Sequence, residues 1–274
     1  MRVSLALGGG GVRGLAHVLA LEVLDDLGIR PTRISGTSMG AIVGSLYASG
    51  KSGREIREGI HQHIIARGEG IKEMFNKRHE LVKWLSAIQL TRRSGGILKA
   101  DGFFAFLFDE LKVDTFEELA IPFAAVAADF YRGDAVVMES GDLMSAVQAS
   151  MSIPGVFAPV TRDGRVLVDG GVVNNLPYDI LAEDCDVTIA LDVAPSRDPD
   201  CERAPNIVDA TLGMFDILVD RVTEAMLAER PPSVYCRPEI SGIRVLDFDR
   251  IEDVYAQAQP AMDIFRRELD EVMG

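Results

Sequence analysis

The stretch ISGTSMGAI, residues 34–42, places Ser38 between Gly36 and Gly40 in the G-x-S-x-G spacing of a nucleophile elbow. A serine hydroxyl becomes a useful nucleophile when a base takes its proton, and in the familiar triads that base is a histidine held by a carboxylate. The chain has four histidines, His17, His61, His63 and His79. None follows residue 79, where the chain order of an α/β-hydrolase would put one. Either Ser38 is a small residue fitting a tight strand-to-helix turn, or its base is not histidine.

Among the 42 acidic residues, Asp169 stands out by context. RVLVDGG, residues 165–171, is a short apolar strand that delivers the aspartate into Gly170 and Gly171. If that strand runs parallel to the one before Ser38, the carboxylate lies on the same rim of the sheet. The dipeptide fits an Asp-Gly hairpin turn equally well. A third motif, GGGGVRG at residues 8–14, lies between an apolar strand and a helix. Its Gly9, Gly11 and Gly14 satisfy G-x-G-x-x-G, but a dinucleotide site also needs a second strand ending in an acid, and here that strand runs into the elbow. Glycines let main-chain N–H groups approach a ligand, and a helix N-terminus adds partial positive charge. The loop therefore suits an anion, including the oxyanion formed when a serine attacks an ester.

GGGGVRG, GTSMG and DGG in this order, with AVQASMSIPGVFAPV before the last and VVNNLP after it, resemble the patatin-like phospholipase family, more closely its bacterial members. The resemblance covers most of residues 1–193 and is weakest over 50–112 and after 195. It implies a three-layer α/β fold and a Ser-Asp dyad, with Ser38 as nucleophile and Asp169 as general base. It further implies an oxyanion hole from the backbone N–H groups around Gly9, Gly10 and Gly11. Gly14, Gly36, Gly40, Gly170 and Gly171 complete the motifs. Arg13 fills the position where the family carries a basic residue beside the hole; on residue chemistry alone it is a solvated charge in a first helical turn. The implied substrate is a fatty-acyl ester of a phospholipid, lysophospholipid or related lipid, with no cofactor and no metal. An aspartate of ordinary pKa, about 3.9, is a weak base near neutral pH unless the site desolvates it. Two other functions remain open: a regulatory or interaction protein that keeps the fold without catalysis, and a nucleotide-binding oxidoreductase.

These groups need a scaffold, and the hydrophobic pattern supplies one. Strands are expected at residues 3–7, 33–35, 123–128, 135–138, 166–168, 187–193 and 234–235. Helices are expected at 15–27, 39–48, 143–152, 177–183, 207–228 and 251–273. Apolar strands alternating with helices indicate a mostly parallel sheet covered on both faces. Residues 50–112 are more polar and mainly helical, a cap-like insertion, and residues 196–274 extend the same domain with helices. At 274 residues and 47% hydrophobic content, the chain suits one large α/β domain.

The net charge of −14 argues against nucleic acid as a partner. Cys185, Cys201 and Cys236 form no C-x-x-C and suggest neither a disulfide framework nor a zinc site. The N-terminal apolar run is too short for a signal peptide, and no apolar run approaches the roughly 18 to 20 residues of a membrane span. A soluble, cytoplasmic protein is expected. Residues 67–99 depart from the acidic balance, with eight basic residues against three acidic ones. They read as the solvated face of a cap and, more sharply, with Phe75 and Trp84, as a surface for transient contact with anionic membranes. His17, among apolar neighbours, reads as a packing or capping residue.

Overall fold

Five consecutive residues of VSLAL are buried, which is the mark of a strand covered on both sides. They form β1 (Val3–Leu7), and Gly8 ends it. The computed structural model describes residues 1–62, 110–181, 185–197, 204–205 and 207–274. Residues 63–109 of the expected insertion, with all of its basic 67–99 stretch, therefore lie outside the described residues.

A 3-10 helix at Gly11–Ala16 leads into α1 (His17–Asp26), then β2 (Arg33–Thr37), α2 (Met39–Ala48) and α3 (Gly53–Ile60). All ten residues of α2 are buried, so this helix is a core element with no solvent face. Strands β3 (Phe123–Asp129) and β4 (Ala135–Met138) precede α4 (Leu143–Ser150), which Asp142 caps by accepting the N–H of Ser145. β5 (Val160–Arg162), β6 (Arg165–Asp169), a single-turn α5 (Gly171–Asn174) and β7 (Val187–Leu191) follow. The C-terminal part holds α6 (Ile207–Glu229), β8 (Val234–Cys236) and α7 (Ile251–Met273). All seven expected strands and five of the six expected helices thus fall within a residue or two of their sequence positions; residues 177–183 instead hold only a short 3-10 turn, Asp179–Leu181.

The sheet has the order β5-β6-β3-β2-β1-β7-β8, with β4 also paired to β3. β1, β2, β3, β7 and β8 run parallel, while β6 is antiparallel to β3. Side-chain alternation along β1 divides two cores. Leu5 and Leu7 join the main cluster with α1, α2 and α7. Ala6 and Ala190 face a smaller one formed by Leu176, Tyr178 and Leu181, against Met226 and Leu227 of α6. The result is a mixed α/β fold with a mostly parallel central sheet between two helical layers, as the pattern of strands and helices anticipates.

Candidate active site

Ser38 sits between the end of β2 and the first turn of α2 with φ 54° and ψ −121°, left-handed for a residue that is not glycine. Such a conformation costs on the order of 1–3 kcal/mol and persists where surrounding contacts enforce it. The two elbow glycines show what enforces it. A Cβ on Gly40 would stand 2.0 Å from the Leu7 carbonyl oxygen, and one on Gly36 would stand 2.4 Å from that of Gly40. The spacing G-x-S-x-G is thus required by close packing of the elbow on the end of β1. The Ser38 N–H donates to Ser150 Oγ at 2.9 Å, and that hydroxyl donates to the Val126 carbonyl at 2.6 Å.

The glycine loop runs alongside. A Cβ on Gly9 would lie 3.1 Å from Ser38 Cβ and 2.5 Å from Asn175 Oδ1, so only glycine lets the loop pass there. Gly10 is pressed against Val193, Gly11 takes φ 57° against the Val245 carbonyl, and Gly14 packs on Met39. The N–H of Gly9 is already donated to the Asn175 carbonyl at 3.1 Å. Those of Gly10 and Gly11 have no partner among the described residues.

His17 lies beneath this loop rather than at the serine. Its Nε2 bonds the Gly8 carbonyl at 2.8 Å, and a carbonyl can only accept, so Nε2 carries the proton. Burial pushes its pKa down to about 4, with the Gly8 bond opposing, and the ring is neutral at physiological pH. It is a packed residue that fixes the loop.

Arg13 departs from the solvated-charge reading: the side chain is buried. Its guanidinium donates to the carbonyls of Val193 (3.3 Å) and Ile243 (3.1 Å) and to Asp216 Oδ1 (3.0 Å). Burial lowers its pKa, and the Asp216 carboxylate works against that. Arg13 thus anchors the first helical turn to the end of β7, to the segment before α7 and to α6.

Asp169 reaches the site by an unexpected route. The condition set by the sequence was a strand parallel to β2, but β6 runs the other way. Register makes up for direction. Thr37 pairs with Val126 of β3, and Asp169 pairs with Ala127, the next residue along. Because β6 overlaps only the last residues of β3, its C-terminal end stops level with Ser38, across β3 from it. Nor is this Asp-Gly a hairpin turn. Gly170 opens α5, and a Cβ there would lie 2.2 Å from the Val126 carbonyl oxygen.

The Asp169 carboxyl is buried; its Oδ1 accepts the Gly171 N–H at 2.8 Å, and its Oδ2 has no well-formed hydrogen bond. Desolvation raises its pKa to about 6, while the Gly171 N–H and the Ser38 hydroxyl pull it down.

Two residues without an assigned role in the sequence tie these parts together. Ser150 holds the Ser38 N–H through its hydroxyl and the Gly170 N–H through its carbonyl (3.3 Å). Asn175 donates from Nδ2 to the Gly9 carbonyl at 3.1 Å while its own carbonyl accepts the Gly9 N–H. Both lie in the stretches that carry the family resemblance, ASMSIPG and VVNNLP, which was the available signal. Among the described residues, no cluster of three or more His, Cys, Asp or Glu is placed to hold a metal.

The fold is mixed α/β, with a G-x-S-x-G turn between β2 and α2. A patatin-like phospholipase family model matches residues 5–182, and the chain belongs to that family. It is 33% identical over 232 residues to a Mycobacterium tuberculosis protein known as an uncharacterised NTE family protein, covering 80% of this chain and 59% of that one. Mouse patatin-like phospholipase domain-containing protein 7 is 29% identical over 297 residues, 97% of this chain and 21% of its own length. The chain thus spans about three fifths of the mycobacterial relative and one fifth of the mammalian one. The crystal structure of VipD from Legionella pneumophila shares the fold, with a TM-score of 0.52 at 14% identity over 96% of this chain and 66% of that one. The partners of Arg13, at residues 193, 216 and 243, all lie beyond the segment that the family model matches.

Proposed function

We propose that this protein is a serine acyl hydrolase acting on fatty-acyl esters of phospholipids, lysophospholipids or related lipids. Ser38 Oγ attacks the ester carbonyl carbon while Asp169 takes the hydroxyl proton. Negative charge collects on the former carbonyl oxygen, where the N–H groups of Gly10 and Gly11 are free to receive it. Gly9, its N–H engaged by Asn175, contributes closeness of approach to Ser38. The tetrahedral intermediate collapses, Asp169 returns its proton to the departing alcohol, and the acyl group stays on Ser38. Water, activated by the same carboxylate, then releases the fatty acid and restores the serine.

The observation that carries this reading is the buried Asp169 carboxyl, level with a strained Ser38, with one oxygen unbonded and a pKa of about 6. That value leaves the carboxylate ionised at neutral pH and makes it a stronger base than an ordinary aspartate. A non-catalytic role leaves both the backbone strain and the unbonded buried oxygen without a purpose, although each costs stability. The dinucleotide reading gains nothing, since β2 ends in Thr37, with Ser38 next, rather than in an acid.

Mass-spectrometric measurement of fatty acid released from lysophosphatidylcholine tests the proposal. Wild type should release it and Ser38→Ala should not; equal release by the variant would overturn the assignment.

A further inference from the structure

Exposed large apolar side chains on this molecule gather around the Asp169 turn. Phe130 and Tyr131, 59% and 80% exposed, form the tip between β3 and β4, their rings edge to face at 5.2 Å. Val172 lies exposed on α5, three residues after Asp169. Ile207, Met214, Ile217 and Leu218 are exposed along the first three turns of α6, Met214 and Leu218 at 59% and 56%. Spacings of three, four and seven residues put these four on one helix face. Away from these elements and β4, only Met1, Ile264 and Val272 are comparably exposed among the described residues.

Two of these elements, α5 and α6, meet at the site. α5 begins two residues after Asp169, and α6 packs on it, with the Phe215 ring 3.5 Å from where a Gly171 Cβ would be and Asp216 on Arg13. Every described side chain exposed between Ile207 and Leu218 is uncharged, the other two being Ala210 and Thr211. Soluble proteins rarely leave such a face open without something to cover it.

We infer that the outer face of α6, with the Phe130–Tyr131 tip, docks on the surface of a zwitterionic phospholipid bilayer, beside the mouth of the site. The inference rests on the lipid-ester reading above. Charge selects the occupant: a chain of net charge −14 is repelled by anionic surfaces, while the described exposed side chains of the first three turns of α6 are uncharged, with Arg221 beyond them paired to Glu224, and this apolar stretch with a nearby tyrosine suits a neutral one. No described helix is long and apolar enough to cross a membrane, so contact takes the form of an amphipathic helix lying in the interface. Burial of apolar area drives it, and added salt leaves it intact.

Flotation with phosphatidylcholine vesicles tests this, using Ser38→Ala so that no lipid is consumed. The protein should float at low and high salt. Met214→Asp with Leu218→Asp should lower the bound fraction by about tenfold or more. In the Ser38 background, the same pair should hydrolyse a soluble short-chain ester within about twofold of wild type. Tyr131→Ser should weaken flotation several-fold, and Ile264→Asp, on α7, should leave it unchanged. Flotation unaffected by the α6 pair would overturn the inference, as would the absence of flotation. So would binding to anionic vesicles alone that salt abolishes, which would move docking to the basic 67–99 stretch. A dimer that the α6 pair converts to monomer, with flotation unchanged, would give the face to a second copy. Intact flotation without hydrolysis of any ester would instead reject the hydrolase reading and leave docking standing.

Discussion

Asp163-Gly164 and Asp169-Gly170 are the same dipeptide at the two ends of β6, and their surroundings give them opposite work. Asp163 has φ 49° and Gly164 φ 74°, two successive left-handed residues that make the tight turn between β5 and β6. The Asp163 side chain is 88% exposed. Asp169 faces inward, its turn pinned by backbone bonds to Ser150 and Ser152 and its Gly170 pressed on β3. Solvation separates the two: an exposed carboxylate stays in water, while burial without a full set of partners raises the pKa of the other and readies it to exchange a proton.

The largest contrast should appear in activity. Asp169→Asn should lower kcat/KM for a soluble ester at pH 8 by about 10³, within the range typical of a lost general base. Asp163→Asn should stay within about twofold, and comparable losses in both would erase the distinction. Denaturant unfolding should separate the glycines next. Gly170→Ala drives a methyl into the Val126 carbonyl and should cost about 3 kcal/mol or more. Gly164→Ala meets open space and loses only its left-handed freedom, about 1 kcal/mol.

Proton linkage at Asp169 gives the third contrast. Its folded pKa of about 6 lies above the ordinary 3.8, so between those values the folded state holds the extra proton. Stability therefore falls as pH rises through that window, by up to about 3 kcal/mol. Activity has the opposite slope, rising as the carboxylate ionises near pH 6. Asp169→Asn should accordingly be more stable than wild type at pH 8, and that advantage should vanish near pH 4. The smallest effect is expected for Ser150→Ala, which leaves the Ser38 N–H and Val126 carbonyl short of a partner. About tenfold in kcat with KM unchanged would fit a residue that positions the elbow.

The parts of the fold that depend on local pattern were readable in the sequence. VSLAL, FAAVAAD and VTIAL are continuous apolar runs, and they form the buried strands β1, β3 and β7. Strand direction was not readable at β6, because RVLVD has the same pattern in either orientation, and only its register on β3 sets Asp169 level with Ser38. The solvated-charge reading of Arg13 fails for a related reason. Its burial depends on carbonyls and a carboxylate 180 to 230 residues away, which no spacing within GGGGVRG discloses. Ser150 and Asn175 were quoted within motifs, yet their work is done through single hydrogen bonds across the fold.

The most direct test of a Ser38-Asp169 dyad is the pH dependence of covalent labelling by a fluorophosphonate, with the adduct located by peptide mass spectrometry. A dyad predicts phosphonylation of Ser38 at a rate that rises with a midpoint near pH 6 and falls at least about 10²-fold in Asp169→Asn. Labelling at another residue, or Ser38 labelling that Asp169→Asn leaves as fast as in wild type, would contradict it.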